Sequence, residues 1–389
     1  MFLAANLEAA SFEEATKKLA SHASIEAIKY YSKAEMASSD QKGSWGDPSI
    51  KLAFKNFPKD NLSDDKSPMT GIELSLSQKI SLTTKYGNYK NASKSKAKAL
   101  EFEALDSEKK LLKILWETLV IRKKRNKDIL ILKENFNFLK RKLKISKKLY
   151  ANGKISQQAL LELQIRISQL EVQINNVKSE LLEISDEINY LVGFNNISEM
   201  SIPWNLLSKI NKKKNNDKDK MFKQKLQASE FNLTASRQDF IPDLTFSIGA
   251  TKRSNIDDNG DFLSASISFP LPFSDIKSAN KNKAINEKYK ALKEYDDYKN
   301  RKKRKIFILQ REIKKIAKEL AILKNRTIIY AKNSRTITSK SYGLGGASYI
   351  ELLQSELKLQ KILLQRNRLE AKLDITKVNL KYILGEPLK

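Results

Sequence analysis

Two stretches of the chain, 192 residues apart, carry the same pattern. Tyr150-Ala-Asn-Gly153-Lys-Ile-Ser156 aligns with Tyr342-Gly-Leu-Gly345-Gly-Ala-Ser348, with Tyr, Gly and Ser at matching positions. The same offset places Leu160-Leu161 over Leu352-Leu353, and Tyr190-Leu-Val-Gly193 over Tyr382-Ile-Leu-Gly385. No gap is needed across the whole segment. Such self-similarity constrains architecture more than composition does, because each copy must adopt the same structure. The chain reads as a tandem duplication, with repeats at 1–207 and 221–389 joined by a polar, lysine-rich linker at 208–220.

Gly and Pro, the strongest structural punctuation, fall outside four long intervals: 88–152, 154–192, 273–342 and 347–384. These intervals read as uninterrupted helices. A 65-residue helix extends about 98 Å, too long for a globular core. In the second interval Leu163, Leu170, Val177, Ile184 and Leu191 recur every seven residues, with Ile167, Ile174, Leu181 and Ile188 four residues after the first four. Sustained a/d heptads indicate coiled-coil packing. The short turn at Gly153 makes this helix the antiparallel neighbour of the one before it. The matching heptad of the last interval is broken by Arg366 and Thr376, as expected of an inner helix that also touches water.

Between the helical stretches the period changes to two. Ile50, Leu52 and Phe54 alternate with polar residues, as do Ile72, Leu74 and Leu76 beyond a loop at 58–68. In the second repeat Leu244, Phe246 and Ile248 alternate, and beyond a loop at 252–261 so do Leu263, Ala265, Ile267 and Phe269. Alternation on both sides of a turn signal predicts hairpins of half-buried strands, at about 48–57 with 70–80 and about 242–251 with 261–270. A helix from Ser11 to about Ser39 opens on the capping-box spacing Ser11-Phe-Glu-Glu14, and another is expected at about 221–239. Each of these short helices, added to the following shorter partner of the hairpin, matches the length of one long helix. The expected arrangement is therefore a rod with the strands at one end.

Composition removes several classes of function. There is no Cys and one His, His22, so thiolate and paired-His metal sites are absent. No H-E-x-x-H, phosphate loop or Ser/His arrangement is present, and no Lys-Ser or Lys-Thr follows Gly343-Leu-Gly-Gly346 as a P-loop requires. An enzyme is not expected, nor a metal or cofactor. His22 reads as a surface helix residue. The formal charge of +28 suits nucleic acid, an anionic membrane or solute, or a Lys-, Asn- and Ile-rich genome. Lysines lie along every segment, which favours the last. The runs Arg122-Lys-Lys-Arg125 and Arg301-Lys-Lys-Arg304 lack interleaved aromatics and read as solvated helix faces. No apolar run reaches the roughly 18–20 residues of a transmembrane helix, and Met1-Phe-Leu-Ala-Ala5 lacks the parts of an intact signal peptide.

The strands pose the functional question. Four strands cannot close a barrel, and an open sheet leaves exposed edges. The helices are committed to coiled-coil seams, so no partner for the apolar sheet face remains in the chain. Lipid supplies one, since a spanning strand takes about 9–11 residues and bacterial barrels have at least about eight strands. More than one copy is then required.

Taken in order and in duplicate, these features resemble the TolC-like outer-membrane efflux proteins. The resemblance covers nearly the whole chain. It rests on Ser11-Phe-Glu-Glu-Ala15, on Gly46-Asp-Pro48 leading into the first strand and on Ile267-Ser-Phe-Pro-Leu-Pro272 leaving the fourth. The most specific part is Tyr342-Gly-Leu-Gly345…Ile350-Glu351-Leu-Leu353-Gln354 running to Leu384-Gly385. It implies a mainly α fold with membrane β-strands: a homotrimer, twelve strands in one barrel and the helices in a periplasmic α-barrel. The signal peptide would already be removed. Ile50, Leu52, Phe54, Ile72, Leu74, Leu76, Leu244, Phe246, Ile248, Leu263, Ile267 and Phe269 would face lipid, with Trp45 and Phe273 near the membrane interface and both strand loops outside. The linker would join an equatorial domain. The helical tips at about 145–158 and 337–350 (Asn152, Gly153, Ser156, Gly343, Gly345 and Ser348) would meet a periplasmic adaptor bound to an inner-membrane pump.

The family's type member closes its periplasmic end with an acidic ring after the second tip, held by a Tyr and an Arg. By position these fall on Glu351 and Gln354 for the ring, Tyr342 for the Tyr and Ala347 for the Arg. One carboxylate is kept, one is an amide, and the Arg is missing. The competing reading from charge and heptads is a soluble coiled-coil scaffold or nucleic-acid-binding rod, which leaves the duplicated amphipathic hairpins without a role. The periplasmic adaptor itself has one helical hairpin, whereas this chain has two.

Overall fold

A computed structural model describes residues 10–208, 210, 216–254, 256, 258 and 260–389. The first residues, much of the linker read at 208–220 and part of the loop at 252–261 lie outside the described residues. The elements are α1 (Phe12–Ala20), α2 (Ala23–Gly43), β1 (Ser49–Lys55), β2 (Gly71–Ile80), α3 (Lys85–Ala151) and α4 (Gln157–Val192), then α5 (Asp217–Gln238), β3 (Leu244–Arg253) and β4 (Phe262–Ser268). The chain ends with α6 (Ile276–Ile322), a π-helical turn (Leu323–Thr327), α7 (Ile328–Gly343) and α8 (Tyr349–Leu384).

The duplication is visible in the backbone. α4 and α8 each have 36 residues, begin after a serine N-cap (Ser156, Ser348) and end on a left-handed glycine, Gly193 at φ 74° and Gly385 at φ 76°. The tip turns also match bond for bond. Lys154 N–H donates to Leu149 O, and Gly153 N–H to Tyr150 O; 192 residues later Gly346 N–H donates to Ser341 O, and Gly345 N–H to Tyr342 O. Gly153 and Gly345 sit at φ 68° and 84°, where a Cβ would strain the backbone.

Three helical expectations change. The segment from Ser11 breaks at Ser21 into α1 and α2, because the His22 ring accepts the Ser24 N–H through Nδ1 at 3.3 Å. His22 therefore stands between the helices as a cap, with Tyr190 against its ring at 5.5 Å. The interval 273–342 is interrupted by the π turn, whose i→i+5 bonding brings Leu323 and Ile328 onto one face, where they share a buried cluster with Ile131 and Leu359. Thr376 does not touch water: it is buried, and its hydroxyl donates to Lys372 O at 2.6 Å.

Two compact units emerge, and neither is a repeat. One holds the chain up to Glu26, Leu105–Asn216 and Asn300–Lys389; the other holds Ala27–Ala104 and Asp217–Lys299. Each unit draws elements from both repeats, because one helical hairpin cannot bury its apolar stripe alone. In the first unit Phe12, Leu115, Trp116, Leu119, Ile188 and Val378 form a buried cluster. Trp116 is its largest member, with Phe12 at 5.1 Å and Trp204 at 5.6 Å between ring centroids. A second cluster joins Leu139, Leu163, Leu170, Tyr342 and Leu352 near the tips. All nine heptad residues of α4 named above are buried or packed against these clusters.

Arg122 corrects the reading of its basic run as a solvated face. It is 6% exposed; Nη1 donates to Asn196 Oδ1 and Nη2 to Ile197 O, both at 2.7 Å. It closes the chain segment that leaves α4. Arg122→Met removes both bonds and leaves the Ile197 carbonyl buried, so a loss of about 2 kcal/mol is expected in urea unfolding. In the second run only Lys302 is buried.

The second unit carries the sheet, antiparallel in the order β1-β2-β3-β4. Its base is an ion cluster between the start of α3 and the end of α5. Lys85 Nζ lies 2.9 Å from both Asp239 Oδ1 and Asp243 Oδ1. Lys277 reaches Asp239 at 2.6 Å; Lys79 and the Tyr86 hydroxyl reach Asp243 at 3.1 and 2.9 Å.

Candidate functional site

The register places the apolar strand residues on one face. Leu52 pairs with Leu74, Leu74 with Ala250 and Ala250 with Leu263; beside them Ile50 pairs with Leu76 and Leu76 with Ile248. This apolar face is the exposed one. Ile50 is 74% exposed, Ile248 65% and Leu263 89%, and Leu52, Phe54, Ile72, Leu74, Leu76, Phe246 and Ile267 are exposed with them. Leu244 is half-buried, and Phe269, just past β4, is exposed. On the opposite face Ser75 is 8% exposed, Ser247 donates to Ser77 at 2.9 Å, and Lys55 pairs with Glu73. A sheet in water shows the reverse pattern, apolar in and polar out. Trp45 and Phe273, which flank the strands, are both exposed.

β1 and β4 have seven residues each, β2 and β3 ten. The outer two are shorter because only one side of each has a partner within the chain. Their free edges present unpaired backbone groups that a further strand can extend.

At the tips Asn152, Gly153, Ser156, Gly343, Gly345 and Ser348 are all exposed. Glu351 has a local role that the sequence pattern already contained but the strand-and-heptad reading passed over. Ser348 and Glu351 form a capping box: Ser348 N–H donates to Glu351 Oε2 at 2.7 Å, and Glu351 N–H donates to Ser348 Oγ at 3.2 Å. The Ser348 backbone bond, then its hydroxyl, hold the Glu351 carboxyl below the ordinary carboxylate range. It is therefore ionised at neutral pH. Ser348→Ala should fray the first turn of α8 at a cost of about 1 kcal/mol, read as faster amide exchange at 349–352.

Glu351 and Gln354 are both exposed and lie on one helical face, continued by Lys358 and Lys361. Tyr342 faces the other way. It is 1% exposed, and its hydroxyl is 2.6 Å from Ser146 Oγ of α3. Ser146 gives its own proton to Lys142 O at 2.9 Å, so Tyr342 is the donor. Tyr342 thus ties α7 to α3 inside one chain, and is not brought together with Glu351 and Gln354 on the exposed face. Ala347 is partly buried against the tip cluster.

The polar residues that sequence reasoning missed are buried in α8: Glu356, Gln360 and Asn367. Asn367 donates to Asp128 Oδ1 of α3 at 2.9 Å, and Arg166 of α4 donates to Gln360 Oε1 at 2.5 Å. None occupies an a/d position, so periodicity carries no signal for them. Among the described residues no group of three His, Asp or Glu is placed to hold a metal, and no helix is long and apolar enough to cross a membrane.

No protein-family model matches the chain, and no curated protein matches it in sequence. Solved structures match it closely in fold. The outer-membrane channel OprN superposes with a TM-score of 0.79 at 14% identity, covering 97% of this chain and 90% of that one. The outer membrane protein VceC from Vibrio cholerae gives 0.79 at 13% identity, with 97% and 96% covered. The outer-membrane channel CmeC of Campylobacter jejuni gives 0.75 at 16% identity, with 96% and 85% covered. These neighbours are channel proteins and not enzymes. Across nearly its whole length, with four antiparallel strands set among long helices, this chain has the fold of the TolC-like outer-membrane channels.

Proposed function

We propose that the chain is the outer-membrane exit duct of a tripartite efflux or type I secretion system. Three copies would close one twelve-stranded barrel, and an adaptor bound to an inner-membrane pump would dock on the tips. One observation carries this reading: the four-stranded sheet exposes its apolar face, while on the two central strands, β2 and β3, the polar face is the more covered. Lipid outside and water inside is the environment in which that arrangement is stable. The free edges of β1 and β4 find partners in neighbouring copies, and closure abolishes the edge.

Single-channel recording of the detergent-extracted, folded protein in a planar bilayer tests the proposal. Discrete, long-lived conductance steps are expected. Folded protein that never inserts would return the strands to a soluble sheet and the chain to a coiled-coil scaffold.

Three Glu351 carboxylates and three Gln354 amides would line the tip opening, a ring that favours cations. Tyr342 would hold the tips inward through Ser146. Tyr342→Phe removes that bond without emptying the space, and a higher mean conductance is expected. An unchanged conductance in both Tyr342→Phe and Glu351→Ala would remove these residues from gating. Beyond the ring the exposed face carries Lys358 and Lys361, and the polar sheet face carries Lys51, Lys55 and Lys79. We infer that Lys51, Lys358 and Lys361 outweigh the ring, Lys55 and Lys79 being balanced by Glu73 and Asp243, so the reversal potential in a salt gradient should show anion preference. Cation preference would sink this idea.

A further inference from the structure

Glu356 lies in α8 with 1% of its surface exposed. Arg335 Nε of α7 stands 2.8 Å from its Oε2, yet among the described residues no protein donor meets either carboxylate oxygen with hydrogen-bond geometry. Angle decides the strength of such a contact as much as distance does. One charged side chain faces Glu356 from each neighbouring helix: Arg335 from α7, Glu134 from α3 and Arg166 from α4. Both cations have other attachments. Arg335 Nη1 lies 3.4 Å from Glu134 Oε1, and its guanidinium covers the Phe138 ring at 4.1 Å. Arg166 Nη2 donates to Gln360 Oε1, and Gln360 donates onward to Gln173 of α4 at 3.0 Å. Glu356 therefore sits where four helices meet, buried and incompletely paired.

An ionised carboxylate in such a place costs more in lost hydration than partial pairing returns. Burial dominates here, opposed by Arg335 and reinforced by Glu134, and pushes the Glu356 carboxyl up to about 7. No other carboxyl in α7 or α8 is pushed so far.

We propose that Glu356 is a proton-held latch: while protonated it keeps α8 packed against α3, α4 and α7, and when it ionises this stretch of α8 separates from them to hydrate the carboxylate. The latch goes beyond the channel reading and does not depend on it. The sign follows from linkage. In the packed form the carboxyl keeps its proton to about pH 7, whereas in water it releases it near its ordinary 4.5. Between those values the open form binds fewer protons, so opening is favoured as pH rises. The opening constant gains up to about 300-fold over that window, tenfold per pH unit.

Amide hydrogen exchange of the detergent-solubilised full chain reads this directly, on peptides covering 352–360 and with each rate corrected for its intrinsic pH dependence. The opening constant should climb between about pH 4.5 and about pH 7 and level off above that. In Glu356→Gln, which is nearly isosteric and uncharged, it should be flat. In Arg335→Gln the midpoint should move upward, because Arg335 is the main group favouring the charge. Protection that is constant with pH in the wild type overturns the latch. So does an equal climb in Glu356→Gln, or an unmoved midpoint in Arg335→Gln. Absence of conductance in a bilayer would count against the channel and leave these exchange results unaffected.

Discussion

Trp116→Ala should destabilise the first unit by about 3–5 kcal/mol, the range for emptying a large aromatic from a packed core. Trp116 has no exposed surface and lies between Phe12 of α1 and Trp204 of the turn after α4. Its indole Nε1 donates to Leu388 O at 2.7 Å, so the same side chain also fixes the segment after α8. Trp116→Phe separates the two contributions. It keeps much of the packing and leaves the Leu388 carbonyl unbonded, at about 1–2 kcal/mol. Urea unfolding followed by circular dichroism measures both. A cost for Trp116→Ala no larger than that for Trp116→Phe would show that the surrounding helices collapse into the space.

Lys85→Met should cost about 3 kcal/mol, and the loss should be concentrated at the base of the sheet. Removing one member of a buried ion pair leaves an uncompensated charge, and that, more than the lost attraction, sets the penalty. The Lys85 side chain is 5% exposed and serves Asp239 and Asp243 together. Lys277, Lys79 and Tyr86 remain after the substitution, which keeps the cost at the lower end for a broken buried pair. The triple change Lys85→Met, Asp239→Asn, Asp243→Asn should recover only part of the loss, since it removes the uncompensated carboxylates but takes the partners of Lys277 and Lys79, which water reaches in part. Amide exchange across 71–80 and 244–253 measures it, and undisturbed protection in Lys85→Met would mean that water already reaches the cluster.

Much of this fold was legible because it rests on periodicity. The heptad from Leu163 to Leu191 marked the buried stripe of α4 residue by residue, since that helix buries one narrow face. The period-two runs at Ile50 and Ile72 marked which side chains share a sheet face. The helix α8 resisted the same reading. It packs against α3, α4 and α7 and buries a wider face, so Glu356, Gln360 and Asn367 fall inside it without obeying the heptad. Arg122 was misread for a related reason. Nothing in a run of Arg-Lys-Lys-Arg distinguishes the one cation that turns inward to Asn196 and Ile197 from those that stay in water.

The candidate gate divides in the same way. Glu351 was legible as a charge after a tip turn, and its capping role was written in Ser348-x-x-Glu351. Tyr342 was legible as a repeated residue, but its partner Ser146 was not, because the bond spans 196 positions. Sequence alone determined the duplication, which needs only two like stretches of chain, and the helix and strand periods, the tip glycines and the apolar face of the strands, which are properties of neighbours within a few residues. Tertiary structure decided the compact units, which cut across the repeats, the π turn, the Lys85 cluster and the burial of Glu356. Each of these depends on which distant side chains meet, and on how completely they replace the water that each charged or polar group gives up.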